Sequence, residues 1–408
     1  MKQTRQFPCA TVTKKQAATL SDGHPWVYSN EIKKLSEEPE NGGLIDVVSE
    51  KGTYLGTGMY SAYSHIRIRI LGRNANETFG DGFFERRVKY AVDYRFDVMS
   101  EEDVRACRLV HGEADGLPGL TIDRYEDILV SEVLSYGMEQ RKNIIYAALA
   151  KELASRGTEI RGIYERNESP LRNKEGLGMY KGWAKIGLPK PESTIVEFTE
   201  NGIRYEADVE NGQKTGYFLD QKYNRRAIRK IAAGREVLDC CTHTGSFALN
   251  AAAAGAKHVT AADVSQFALD QAKRNAERNG LEDKLDYVCS DVFDLLEQLK
   301  NEPKKYDFII LDPPAFTKSR RTFQSARSGY KRLNALAMRV LPRGGYLATA
   351  SCSHFMPEAE FRGMLKEAAQ ESGVSLRFVE IRHASMDHPV LANVPETEYL
   401  KFFILQIE

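Results

Sequence analysis

The sequence predicts an α/β protein in which a doubly wound parallel sheet occupies the C-terminal half, preceded by a small β-barrel and a central α+β domain. Three observations predict it. From about residue 195, short apolar runs alternate with amphipathic helical stretches, the pattern of βαβ units whose sheet is covered on both faces. Residues 1 to about 75 carry short alternating strands punctuated by glycine, as in GLIDVVSEKGTYLGTGMYSAYSHIRIRIL, which suits a small barrel. Between these parts, the two prolines of LPKPEST mark a boundary. The expected domains are 1–75, 76–190 and 195–408.

The elements follow in order. In the central part, GFFERRVKYAVDYRFDVMS reads as a helix, and RLVHGEADGLPGLTIDRYEDILVSEVL as strands around a glycine/proline turn, with a further helix behind them. The C-terminal strands are REVLDCC, HVTAADV, LDYVCSD, YDFIILD, YLATASCS, SLRFVEIRH and LKFFILQI. Helical stretches such as SFALNAAAAG, SQFALDQAKRNAERNG and EAEFRGMLKEAAQESG separate most of them. No internal repeat interrupts the series.

Composition narrows the function classes. The chain has 408 residues, 42% hydrophobic and 28% charged, as in an ordinary folded protein of more than one domain. No apolar run approaches the roughly 20 residues that span a bilayer. The start, MKQTRQFPCATVTKKQ, lacks the apolar stretch of a secretion signal, so a cytoplasmic protein without membrane contact is expected. The six cysteines form no C-x-x-C pair and have no histidine at zinc-ligand spacing, so neither disulfides nor a metal are expected. The formal net charge of zero argues against a globally basic nucleic-acid coat and leaves room for a local basic patch.

In a doubly wound sheet, ligands bind at the carboxyl ends of the strands. Asp239 ends the first strand in VLDCCTHTGSF, Gly245 opens the next helix, Asp263 ends the second strand and Asp291 follows the third. The first loop holds one glycine among Thr242, His243 and Thr244, too few for the pyrophosphate cradle of a dinucleotide, and no G-x-x-x-x-G-K-[ST] loop is present. A nucleoside without phosphates, such as S-adenosylmethionine (AdoMet), fits better. Asp263 would meet the ribose, Gly245 the amino-acid portion, and Asp291 the adenine; solvated loop carboxylates are the alternative.

The fourth strand ends in LDPPAF. Pro313 and Pro314 stiffen the loop after Asp312 and would set Asp312 and Phe316 at the mouth of the site, fittings suited to a flipped base. A proline-terminated strand with no task is the alternative. Next comes KSRRTFQSARSGYKR, with Lys318, Arg320, Arg321, Arg327, Lys331 and Arg332, no acidic residue, and Phe323 and Tyr330 interleaved. Such a mixture suits a single-stranded nucleic-acid track, although a solvated loop would look similar.

Together, LDCCTHTGSFALNAAAAGA, AADVSQFALDQAKRNAERNG, DYVCSDVFDLL, YDFIILDPPAF and the upstream NGQKTGYFLDQKYNRR resemble the AdoMet-dependent ribosomal large-subunit RNA cytosine-5 methyltransferases of the RlmI type. HPWVYSNEI through GTGMYSAYSHIRIRIL resembles that family's N-terminal PUA-type RNA-binding barrel, HGEADGLPGLTIDRYEDILV its central domain, and SCS with DHPVLANVPETEYLK its C-terminal part. The resemblance covers the whole chain and implies a Rossmann-like AdoMet methyltransferase domain acting on large-subunit rRNA, with a homodimer left open.

Carbon 5 of cytosine is a poor nucleophile until a thiolate has added to carbon 6, and the resemblance assigns that role to Cys352. Asp312 would stabilise the protonated base edge. The expected cofactor set is Asp239, Thr244, Gly245, Asp263, Val264, Asp291, Val292, Phe218 and Gln221. The expected substrate contacts are Lys214, Pro313, Pro314, Phe316, Lys318, Arg320 and Arg321. Where many RNA cytosine methyltransferases carry a second cysteine, this chain has Pro314. Cys9, Cys107, Cys240, Cys241 and Cys289 read as small buried hydrophobes; His354 and His388 are further candidates for proton transfer. Two rivals remain: a guanine-7 methyltransferase on the same scaffold, which needs no thiol, and a non-catalytic RNA-binding assembly factor. A nicotinamide-dependent dehydrogenase is disfavoured by the missing glycines.

Overall fold

Each compositional segment of the chain builds its own sheet. The structure is a computed structural model that describes residues 7–303, 305–317 and 319–408. In the first segment, β1 (Cys9–Val12), α1 (Lys14–Ser21), β2 (Trp26–Tyr28), β3 (Ile32–Leu35), β4 (Leu44–Val48), β5 (Tyr54–Tyr60) and β6 (Ile66–Gly72) form a six-stranded sheet in the order β2-β6-β5-β4-β1-β3, with α1 alongside. Alternation along these strands buries Val12, Val27, Ile45, Val47, Ile68 and Ile70 in one cluster with Leu20 of α1.

The central segment holds α2 (Asp81–Val98), β7 (Ala106–His111), β8 (Leu120–Tyr125), β9 (Ile128–Val133), α3 (Tyr136–Glu139), α4 (Lys142–Ala154), β10 (Gly162–Asn167) and β11 (Tyr180–Trp183), with sheet order β11-β10-β9-β8-β7. Helix α2 buries Phe84, Val88, Ala91, Val92 and Arg95, one helical face. These two sheets belong to one compact unit, residues 7–198, to which 207–219 and 386–397 are added. Fully buried Arg95 holds the last segment in place. Its guanidinium donates to Asp115 at 2.5 Å and to the Asp387 carbonyl at 2.9 Å, while the Asp387 carboxylate accepts from the Arg108 N–H at 2.8 Å.

The hairpin β12 (Ile195–Glu200) and β13 (Ile203–Asp208) turns through Asn201 and Gly202, both at positive φ (56° and 73°), as a two-residue hairpin turn requires. Residues 199–206 of it belong to the second unit, with 220–385 and 398–408. That unit comprises α5 (Lys222–Ala232), β14 (Glu236–Cys240), α6 (Ser246–Ala253), β15 (His258–Asp263), α7 (Gln266–Arg278), β16 (Leu285–Cys289), α8 (Val292–Leu299), β17 (Phe308–Leu311), α9 (Phe323–Val340), β18 (Tyr346–Ser351), α10 (Glu358–Ser372), β19 (Leu376–Arg382) and β20 (Lys401–Ile407).

Its seven strands lie in the order β16-β15-β14-β17-β18-β20-β19. The order reverses between β14 and β17, where an open α/β sheet forms its ligand crevice. The sheet departs from the all-parallel expectation at one strand, since β20 runs antiparallel to both β18 and β19. The reason is local: no crossover helix follows β19, so the chain turns back at the carboxyl rim and β20 begins there. Its first residue, Lys401, pairs with Ser351 at the end of β18. Among the described residues, no helix is long and apolar enough to cross a membrane.

Candidate active site

The loop after β14 is built around Asp239. Its carboxylate, fully buried, accepts from the Thr242 hydroxyl at 2.5 Å and the Ala248 N–H at 2.9 Å, which joins the strand end to the first turn of α6. Burial pushes its pKa up to about 7 against those two hydrogen bonds, and the Asp312 and Asp263 charges push the same way. Cys241 (φ 61°) and His243 (φ 52°) adopt left-handed conformations, which cost a non-glycine residue about 1 kcal/mol or more and concentrate at functional sites. The Asp239 Oδ1 and the Thr244 hydroxyl are buried without a hydrogen-bond partner.

Two expected outcomes follow from this loop. Gly245 has φ +80°, and a Cβ there would lie 2.9 Å from the Cβ of Ala272 on α7. The glycine therefore serves the approach of α6 to α7, and Gly245→Ala should cost about 1–3 kcal/mol, read as a fall in Tm. For Asp239, the folded value of about 7 lies above the unfolded value of about 3.9. The stability contribution is full below about pH 4 and is lost as pH rises through about 7. Urea midpoints of Asp239→Asn should accordingly vary less than wild type over that window.

Asp263 ends β15 and accepts from two backbone groups, the His243 N–H and the Ser265 N–H, each at 2.9 Å. Each oxygen retains a lone pair for a ribose hydroxyl. Beside it, Val264 is 73% exposed and Phe267, on the first turn of α7, 66% exposed. Sequence reasoning named Val264 and missed Phe267, which reads there as one more apolar position of an amphipathic helix. Asp291 caps α8, accepting from the Phe293 N–H at 2.8 Å, and is otherwise exposed; Val292 packs against the core.

On the other side of the switch point, Asp312 follows β17 half-buried, Pro313 is buried and Pro314 exposed. Phe316 is half-buried, with its ring 4.5 Å from Tyr330 and 6.3 Å from Phe293, so part of its surface is committed to packing. Cys352 follows β18, the strand next to β17, and its residue is half-buried. Ser353 donates through its hydroxyl to the Thr317 carbonyl at 2.9 Å, tying the Cys352 turn to the Asp312 loop. Tyr330 lies beneath, fully buried; burial pushes its pKa up to about 12, helped by the nearby Cys352 and Asp312, so its hydroxyl stays protonated.

The basic stretch is less available than its composition implies. Helix α10 answers the missing acidic residues: Arg327 pairs with Glu367 at 2.6 Å and Glu360 at 3.6 Å, and Lys331 with Glu371 at 3.4 Å. Tyr330 is a core residue and Arg332 stacks 5.1 Å over Phe293. Arg320 and Arg321 open a short 3₁₀ turn, Arg321 being exposed; Lys318 lies outside the described residues. Gln221 is buried in the second unit, accepting from Asn224 at 2.6 Å. Lys214 and Phe218 belong to the first unit, where the ammonium sits 4.7 Å over the ring. His388 also lies there, buried beside Asp387 and 5.1 Å from His111, whereas His354 is half-buried near Cys352 in sequence with its Nδ1 unpartnered.

None of the six cysteines is in a disulfide. Burial and nearby carboxylates push the Cys240 and Cys241 thiols up, and burial does so for Cys9, which suppresses their thiolates. Cys107 is buried as expected, but Cys289 is exposed at the end of β16, contrary to its reading as a buried hydrophobe.

Comparison with known proteins gives a consistent picture. The family model for S-adenosylmethionine-dependent methyltransferase matches residues 187–403, and that for a PUA-like domain residues 10–73. A ribosomal RNA large subunit methyltransferase I from Klebsiella pneumoniae (strain 342) is 37% identical over 402 residues, 98% of each chain. One from Shewanella amazonensis is 39% identical over 390 residues, 95% of this chain and 96% of its own. Among solved structures, SMU.776 complexed with SAH superposes with a TM-score of 0.83 at 21% identity, covering 98% of this chain and 99% of that one.

Proposed function

Because the chain belongs to the ribosomal RNA large subunit methyltransferase I family of S-adenosylmethionine-dependent enzymes, we propose that it methylates carbon 5 of a cytosine in large-subunit rRNA through a covalent adduct of Cys352. The observation that carries this reading is the place of Cys352: a thiol at the carboxyl end of β18, joined through Ser353 and Thr317 to the loop that bears Asp312. A nitrogen methylation would need no thiol there.

The first loops suit AdoMet. An unpartnered buried hydroxyl on Thr244, an unpartnered buried oxygen on Asp239, a ribose-ready carboxylate on Asp263 and the exposed apolar Val264 and Phe267 match its amino-acid, ribose and adenine parts. Gly245 shapes this loop, Asp291 and Val292 would border the adenine side, and buried Gln221 lies in the same unit as these loops. When bound, AdoMet supplies a sulfonium-activated methyl group.

Cys352 would add as a thiolate to carbon 6 of the base, which turns carbon 5 into an enamine-like nucleophile. Asp312 would accept a hydrogen bond from the protonated ring nitrogen, stabilising charge that exists only in the adduct. After carbon 5 is alkylated, a base takes its proton and the electron pair re-forms the ring double bond as Cys352 leaves. Pro313, Pro314 and Phe316 would shape the pocket mouth, and exposed Arg321 would meet phosphates. In the first unit, an open concavity lined by Lys33, Lys34, Tyr60 and Arg67 suits the PUA-like domain to RNA docking.

The test is to incubate the protein with labelled AdoMet and unmodified large-subunit rRNA and to identify the labelled nucleoside. 5-Methylcytidine is the expected product; label on guanine would replace this reading with a guanine-7 methyltransferase, and no transfer with intact RNA binding would point to an assembly factor.

A further inference from the structure

Lys401 is the least expected side chain near the proposed nucleophile. It opens β20 directly opposite Ser351, the residue before Cys352, and is only 2% exposed. Its ammonium donates to the Ser353 carbonyl at 2.6 Å and to the Tyr399 carbonyl at 2.8 Å. Among the described residues, no carboxylate lies within ion-pair distance of it. A buried ammonium is costly unless its surroundings return charge or hydrogen bonds, and two neutral carbonyls return only part.

Cys352, Glu398 and Glu358 are the charged and titratable groups that act on it. Glu358 of α10 already accepts from Arg362 at 2.7 Å and His383 at 2.8 Å, and Glu398 lies 3.7 Å from the same imidazole. Tyr330 of α9 stays neutral, its proton held by burial and by the charges of Cys352 and Asp312. Burial draws the Lys401 pKa down to about 8, while a thiolate at Cys352, then Glu398 and Glu358, act to hold its proton. The effect is reciprocal, because the charge that retains a proton on nitrogen also favours its loss from sulfur.

We infer that Lys401 is a positioning residue for Cys352: its buried ammonium clamps the turn through the Ser353 carbonyl and supplies the positive charge against which the thiolate forms. The S–H proton passes to water, the nitrogen keeps its three, and the sulfur gains the free pair that attacks carbon 6. This inference rests on the nucleophilic role of Cys352 proposed above.

The test reads the thiol itself. Iodoacetamide alkylation of Cys352, followed peptide by peptide across pH in the full-length protein, should give a wild-type midpoint below the ordinary thiol value of about 8.5. Lys401→Gln keeps a donor for the carbonyls and removes the charge; its midpoint should rise by about one pH unit or more, and its pH–rate profile for methylation should shift upward in parallel. Lys401→Arg should restore the low midpoint. A wild-type midpoint at or above about 8.5 overturns the inference without any variant, as does an unchanged midpoint in a folded Lys401→Gln. If Cys352→Ala still makes 5-methylcytidine, the nucleophile reading fails, and the alkylation midpoints still decide whether Lys401 tunes the thiol.

Discussion

Cys352→Ala is expected to abolish 5-methylcytidine formation, lowering single-turnover methylation by at least about a thousandfold, or about 4 kcal/mol of barrier. AdoMet affinity should stay within about twofold, because the proposed cofactor residues lie at the ends of β14 and β15 whereas Cys352 follows β18. The loss is large because the thiolate changes the reaction: without the adduct, carbon 5 has no electron pair to offer. RNA carrying 5-fluorocytidine gives an independent reading. Fluorine cannot leave as a cation, so wild type should accumulate a covalent protein–RNA complex and the alanine variant none. Cys352→Ala with full activity would reduce Cys352 to a packing residue.

The largest effect on stability is expected from Glu200→Leu. Glu200 and Arg225 are both essentially inaccessible to water and form a two-pronged pair, with Nε and Nη2 donating to the two carboxylate oxygens at 2.6 and 2.8 Å. The pair fastens the end of β12 to α5 within the second unit. Removing the carboxylate takes its counter-charge from a buried guanidinium, a cost of about 3–5 kcal/mol. Urea unfolding, followed by loss of AdoMet binding so that the second unit is the one reported, should show a large fall in midpoint. The double variant Glu200→Leu/Arg225→Met should recover much of it, because two apolar side chains of similar volume fill the space without stranding a charge. A double variant no better than Glu200→Leu would mean that the carboxylate stabilises by contacts other than this pair.

Much of the proposed site was legible in the chain because its residues sit at strand ends. Asp239, Asp263, Asp291, Asp312 and Cys352 each follow an apolar run that can only be a buried strand, and the alternation with helices sends all those ends to one rim. What each side chain does there was less legible. Asp239 turns inward to hold its own loop, Asp291 caps a helix, and Gly245 is required by the close approach of Ala272, twenty-seven residues later. The basic stretch looked unopposed because its partners, Glu360, Glu367 and Glu371, lie on α10, some forty residues downstream. The Asn201–Gly202 turn, by contrast, carried a hairpin signal that sequence reasoning could have used.

By itself, the sequence determined the α/β class, the doubly wound C-terminal domain and the thiol just after the fifth strand. These depend on local periodicity and on residue types within one loop, which neighbouring residues specify without help from the rest of the fold. Only the tertiary structure decided that β20 runs antiparallel, that residues 386–397 join the first unit through Arg95, and that Lys401 is buried against the turn bearing Cys352. A lysine heading an apolar strand reads in sequence as its solvated end. Whether its charge meets water or a thiol depends on which strand lies beside it, and that pairing joins residues fifty positions apart.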